Sequence, residues 1–125
     1  FMFGANMRFS MRDHKIPLIT SKRLAWKTCL KELLWFISGN TSNKTLKSQN
    51  VHIWDGNSSR EFLDSRGLTH LHEDDLGPIY GFQWRHFNAK YNGCNEDYND
   101  RGIDQLNGII KSLTIEQKGH FELKF

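Results

Sequence analysis

The sequence predicts a mixed α/β (α+β) fold, and three observations carry that expectation. The first twelve residues alternate apolar and polar side chains, residues 26–37 repeat their apolar positions at a helical spacing, and a long aromatic-rich stretch follows without either period. A strand, several helices and irregular connections together favour an enzyme-like mixed architecture over a bundle or sandwich.

In the opening segment the odd positions are Phe1, Phe3, Ala5, Met7, Phe9 and Met11, and the even ones include Gly4, Asn6, Arg8, Ser10 and Arg12. Alternation of period two predicts a half-buried strand. Asp13 to Pro17 breaks it with polar residues and a proline, so a turn or loop follows. From Trp26 to Ile37 the residues Trp26, Cys29, Leu30, Leu33, Leu34 and Ile37 form one helical stripe, and Gly39 supplies the stop. A shorter helix is expected over Ser42 to Gln49. Another is expected to begin at Ser58, where Ser58-Ser59-Arg60-Glu61 fits a capping box. Gly77-Pro78 and Gly81 predict a turn-rich passage ahead of Trp84. Ile103, Leu106, Ile109, Ile110 and Leu113 describe a last helix, entered from Gly102-Ile103-Asp104. The stretch from Val51 to Tyr98 is aromatic-rich but poorly periodic, and ordered connections of that length more often carry function.

The 125 residues suit one domain or part of one, and nine Phe and four Trp supply the surface for a core. The 17 basic and 14 acidic residues are interspersed, leaving a net charge of +3 and no Lys/Arg block of the kind that nucleic-acid arms carry. Two cysteines, Cys29 and Cys94, form neither a disulfide framework nor a zinc spacing, which points to a reducing compartment. No apolar run has the length of a membrane span, and a soluble, cytoplasmic protein is expected. The chain opens on Phe1 rather than Met, in what reads as the middle of an element.

One residue on the first helix stands out. With Trp26 at zero and about 100° per residue, the apolar stripe runs from about 300° to 80°, and Glu32 lies near 240°. Residues three and four away are Thr28, Cys29, Trp35 and Phe36, so no cation on the same helix can pair with it. Such a carboxylate either finds a partner on another element or is driven toward its neutral form, which suits proton transfer near neutrality. The alternative is a rim glutamate that reaches solvent or a distant arginine. The six histidines include no H-E-x-x-H pair, and His70-Leu71-His72-Glu73 reads as a surface loop rather than a metal site. Neither a G-x-G-x-x-G nor a Walker pattern is present. Cys29 reads as a core residue of the stripe and Cys94 as a loop residue. The run Val51-His52-Ile53-Trp54-Asp55-Gly56-Asn57 suits a stacking wall for a flat heterocycle, or simple core packing of Trp54.

Four blocks, in order, resemble consecutive parts of thymidylate synthase: Pro17 to Arg23, Glu32 to Thr41, Val51 to Asp55, and Asp75 to Arg85. Gly102-Ile103-Asp104-Gln105-Leu106 is the last clear one. The resemblance implies a methyltransferase of nucleotide biosynthesis that converts dUMP to dTMP. In that family 5,10-methylenetetrahydrofolate serves as cosubstrate, no metal takes part, the working form is a homodimer, and neither membrane nor nucleic acid is needed. It implies that Glu32 organises water and assists proton transfer, that Lys22, Ile53, Trp54 and Asn57 lie on the folate side, and that Tyr80 lies near the nucleotide and folate rings. Residues 1–113 are then expected to be a partial catalytic domain, followed by an unmatched tail over 114–125.

The departures from the family pattern carry expectations of their own. Ala25 stands where relatives carry an aromatic residue or His against the folate. The family's phosphate-binding arginine should precede Phe1, and its Pro-Cys-His nucleophile segment should follow the matched part, so this chain by itself is expected to be inactive. The alternatives are a pyrimidine nucleotide hydroxymethylase of the same superfamily and a noncatalytic remnant that acts as an interaction module.

Overall fold

The computed structural model describes residues 3–114. Its helices are α1 (Trp26–Ile37), α2 (Asn43–Lys47), α3 (Asp55–Ser58), α4 (Arg60–Ser65), α5 (Tyr80–His86) and α6 (Gln105–Thr114). Among the described residues the only β pairing is two isolated antiparallel bridges, Ser42 with Asp75 and Phe87 with Ile103. The α content expected of a mixed fold is present, but the described residues form no β layer.

The predicted opening strand is the first correction. Every residue from 3 to 23 is exposed, and the segment is irregular apart from one 3-10 turn at Arg12–His14. Alternation shows which side chains would share a face, but a strand also needs a ladder for its amides. No described segment pairs with it. The tail expected over 114–125 lies, beyond Thr114, outside the described residues, as does Phe1.

Helix α1 has the predicted bounds. It starts at Ala25 without a capping side chain and ends through Ser38, with Gly39 at φ +74 just beyond. That left-handed step is one glycine takes without a Cβ penalty. Its packed face is not the predicted one. Trp35 is 3% exposed and packs with Leu46 and Val51, joined by Phe36, Trp54, Leu76 and Ile79. Leu30, Leu33, Leu34 and Ile37 of the expected core stripe are exposed, and so is Cys29. Within this structure α1 buries its aromatic side and leaves its aliphatic side open.

Two local readings shift as well. The cap of α4 is Ser59, whose hydroxyl accepts from the Phe62 amide at 3.2 Å. Ser58 instead ends α3 and is fully buried. The part of the expected turn-rich passage at Gly81, ahead of Trp84, is instead helix α5, and Gly81 lies at its crossing with α1. A Cβ there would come within 2.6 Å of the Phe36 carbonyl oxygen. The glycine marks close helix approach rather than a turn. The predicted helix over Ser42 to Gln49 is shorter, Asn43–Lys47, and Ile103 pairs with Phe87 just before α6 begins.

Within α5, Phe82 is 1% exposed and lies edge-on to Tyr91 and Tyr98, with centroids at 5.0 and 4.8 Å. Gln105 donates its amide to the Gln83 carbonyl at 2.9 Å, and Arg85 pairs with Asp104 at 3.2 Å. These contacts hold α6 against α5.

Candidate functional site

The Trp54 indole N–H donates to Glu32 Oε1 at 2.8 Å, bridging α1 and the loop ahead of α3. This is the partner from another element that Glu32 lacks on its own helix. Phe36, one turn further along α1, supplies the common floor. Its ring centroid lies 6.5 Å from Trp54, 5.4 Å from Tyr80 and 5.7 Å from Trp84, all edge-on. T-shaped contacts of this kind hold rings at fixed angles.

Above that floor lies an open groove of about 330 Å³, lined by Trp54, Pro78, Ile79, Tyr80 and Gln83. The lining is mainly apolar and faces solvent, and its Trp54 is the residue that donates to Glu32. Larger hollows at residues 8–12 and 23–28 are each lined by one continuous run of chain. Another, of about 420 Å³, lies among Ser42, Lys44, His72, Glu73, Cys94 and Asn95 and has a more polar lining, whereas the Trp54 groove is aromatic and includes the partner of Glu32.

Of the residues singled out from the sequence, Glu32, Trp54 and Tyr80 are brought together around Phe36. Ile53 is half exposed beside Trp54. Asn57 is exposed on α3 and Lys22 on the irregular arm, and neither forms a side-chain hydrogen bond with another described residue. Among the described residues no group of three or more His, Cys, Asp or Glu could hold a metal ion.

Two buried polar clusters were not read from the sequence. Asn43, with no exposed surface, donates from Nδ2 to Asp55 Oδ1 at 2.8 Å and to Ser58 Oγ at 2.9 Å. Asp74 Oδ1 accepts from Lys47 at 2.6 Å and from Ser58 Oγ at 3.3 Å. Burial pushes the Asp74 carboxyl upward, but the Lys47 hydrogen bond and charge, with Asn43 and Ser58, bring it below the usual carboxylate range. Asp55 is also held low, by Asn43 and His52.

In the second cluster, Asp75 is 1% exposed and forms no ion pair with another described residue. Its Oδ1 accepts from the Gly77 amide at 2.8 Å and the Tyr91 hydroxyl at 2.5 Å, and its Oδ2 from the Cys94 amide at 3.0 Å. The Thr41 hydroxyl lies 2.8 Å from that of Tyr91. Burial and the hydrogen bond to Asp75 drive the Tyr91 phenol far up. The Gly77 contact is an Asx turn, which Asp75-Leu76-Gly77 does signal locally. Tyr91 and Cys94, 16 and 19 residues away, have no such signal.

Neither cysteine faces the groove lining. Cys94 lines a separate polar hollow with His86 and Tyr98, and burial followed by the charge of Asp75 pushes its thiol up. A thiol held protonated is a poor nucleophile.

A family model described as thymidylate synthase matches residues 1–120. The bifunctional dihydrofolate reductase-thymidylate synthase of Leishmania major is 55% identical over 112 residues, covering 90% of this chain and 22% of that protein. The corresponding bifunctional protein of Zea mays is 54% identical over 89% of this chain and 21% of its own length. A probable thymidylate synthase of Schizosaccharomyces pombe is 55% identical over 87% of this chain and 17% of its own length. The chain thus spans about a fifth of the length of these curated relatives.

Proposed function

The chain belongs to the thymidylate synthase family, and on that premise we propose that it forms the proton-handling and folate-side part of a site for reductive methylation of dUMP. The cosubstrate is 5,10-methylenetetrahydrofolate, which supplies both the one-carbon unit and the hydride, and the product is dTMP. The observation that carries this reading is the 2.8 Å hydrogen bond to Glu32 from Trp54, which lines an aromatic groove.

Each part has a physical role. The groove offers ring faces and edges from Trp54 and Tyr80, which suit a flat pteridine or pyrimidine. Ile53 widens the apolar wall, and Lys22 and Asn57 are assigned to the folate side by the family resemblance. Trp54 fixes one oxygen of Glu32 and leaves the other to exchange a proton with water or substrate. The reaction also needs a thiolate that adds to pyrimidine C6, so that electron density builds at C5 for attack on the one-carbon unit. Cys94 and Cys29 are unsuited to that step by placement, so the thiolate comes from outside residues 1–113, which are part of a catalytic domain. The aliphatic side of α1, exposed here, is then a surface for the remainder of that domain, since a helix apolar on both sides is normally covered on both. A homodimer in a cytoplasmic, reducing setting completes the reading.

The test is Glu32→Gln in the full-length protein that contains this chain. Glutamine keeps an oxygen to accept from Trp54 but cannot exchange the proton. Turnover should fall by about 10²–10⁴, the range of a lost general acid-base group, while dUMP binding changes little. Equal loss of binding and turnover would refute the proton-transfer role.

A further inference from the structure

The two walls of the groove, Trp54 and Tyr80, lie on segments that do not follow one another in sequence, so something must set their separation. The adjacent residues Asp74 and Asp75 join both. Asp74 sits at φ +68, a left-handed backbone that a residue with a Cβ rarely adopts, and it is nonetheless buried. Conformations of this kind persist where the surroundings over-determine them.

The surroundings here divide cleanly by residue. Asp74 faces the Trp54 side. Its Oδ1 is bound by Lys47, Asn43 and Ser58, and its amide donates to the Ser58 carbonyl at 2.9 Å. Ser58 closes α3, whose first turn is held by the Ser58 amide on the Trp54 carbonyl at 3.1 Å. Asn43 also reaches back to Asp55, the residue after Trp54. Asp75 faces the other way. It holds the Gly77 amide, and the short turn from Gly77 to Ile79 leads directly into Tyr80. Tyr91 and Cys94, from the long connection after α5, grip the same carboxylate from behind. Between the two, the 41–43 backbone pairs with 74–76 through Asn43 to Asp74 and Leu76 to Thr41, tying the dipeptide to the start of α2.

We infer that Asp74 and Asp75 are positioning residues, each fixing one wall of the groove, Asp74 the Trp54 wall with its Glu32 contact and Asp75 the Tyr80 wall. The functional meaning rests on the proposed folate groove, but the positioning itself can be read without any substrate. One backbone step at φ +68 turns two consecutive carboxylates to opposite sides, so that each serves one wall.

The test uses the full 125-residue chain labelled with ¹⁵N and 3-fluorotyrosine. The Trp54 indole is assigned through Trp54→Phe and the Tyr80 fluorine through Tyr80→Phe. Asp74→Gly suits the left-handed backbone, so its effect reports the lost carboxylate rather than added strain. It should move the Trp54 indole resonance and speed its solvent exchange several-fold, leaving the Tyr80 fluorine in place. Asp75→Asn opposes donor to donor at one of its contacts. It should move the Tyr80 fluorine and leave the Trp54 indole in place. The indole of Trp35, bound to the Ser42 carbonyl at 3.2 Å, serves as the folding control. Should either variant lose that control signal, Lys47→Met and Tyr91→Phe replace them and must give the same separation. Variants that move both signals together, move neither, or all abolish the Trp35 signal overturn the inference. Failure of the proposed folate role would appear separately, as intact separation of the two signals with no reduced-folate binding by the full-length protein.

Discussion

Gly81→Ala sets two physical effects against each other, and the structure decides the sign. Gly81 lies inside α5 with ordinary backbone angles, so on helix propensity alone alanine should stabilise by about 1 kcal/mol. Its Cβ, however, would sit 2.6 Å from the Phe36 oxygen and 2.8 Å from the Phe36 Cα. Both are backbone atoms of α1, so no rotamer change relieves the contact. The helices must part by at least about 0.4 Å merely to bring 2.6 Å to 3.0 Å, and overpacking of this kind costs about 1–3 kcal/mol. The upper half of that range applies where rigid backbone meets rigid backbone, leaving a net loss of about 1–2 kcal/mol.

Gly56 supplies the control, since it also lies in a helix and a Cβ there would meet nothing within 4 Å. Gly56→Ala should be neutral or stabilise by about 0.5–1 kcal/mol. Urea unfolding of the parent chain and both variants, followed by tryptophan fluorescence, measures the difference. Because α5 carries Tyr80 and α1 carries Phe36 and Glu32, Gly81→Ala should also loosen the groove. A Gly81→Ala variant as stable as the parent, or more so, would refute the close-packed crossing.

Two further outcomes follow from the polar clusters. Asp74 titrates below its unfolded value, so its contribution is complete above that value and is lost as pH falls through the folded one; a stability-pH profile should drop below about pH 4, and Lys47→Met should flatten that drop. Lys47 titrates above its ordinary value, chiefly through the Asp74 hydrogen bond, so the same pair weakens again at strongly alkaline pH. Cys94, with its thiol pushed up by burial and Asp75, should alkylate several-fold more slowly than exposed Cys29 when followed by mass spectrometry. Neither should form an adduct when the chain is incubated with 5-fluoro-dUMP and the methylene-folate, and an adduct on either would overturn the assignment of the nucleophile outside residues 1–113.

What could be read from the sequence was what depends on near neighbours. The helix from Trp26 to Ile37, its glycine stop and the absence of a same-helix cation for Glu32 all follow from spacings of four residues or fewer. The Ser58 cap failed by one position because two serines in a row offer the same hydroxyl, and the choice was made by Asp74, sixteen residues away, which draws Ser58 inward. Gly81 was misread for the same reason. A glycine that breaks a helix and one that admits a neighbouring helix look alike until the neighbour is known. Alternation over residues 1–12 predicted a strand, but it could not supply a pairing partner, and the described part of that segment is irregular and exposed.

The reversal on α1 carries the argument furthest. Helical spacing assigned the core to Trp26, Cys29, Leu30, Leu33, Leu34 and Ile37, and left Glu32 either among apolar neighbours with a partner elsewhere or on a rim. In the structure the aromatic side is the packed one, and Glu32 belongs to it. A carboxylate there must be hydrogen-bonded to tolerate its surroundings, and the group that bonds it is the Trp54 indole, which donates only. Trp54 therefore satisfies Glu32 without neutralising it. A lysine or arginine in that place would hold the carboxylate as a fixed ion pair, unsuited to passing a proton. Trp54→Arg should thus preserve a partner for Glu32 yet lower turnover in the full-length protein much as Glu32→Gln does. Turnover retained in that variant, with Glu32 still bound, would show that the neutral donor is dispensable.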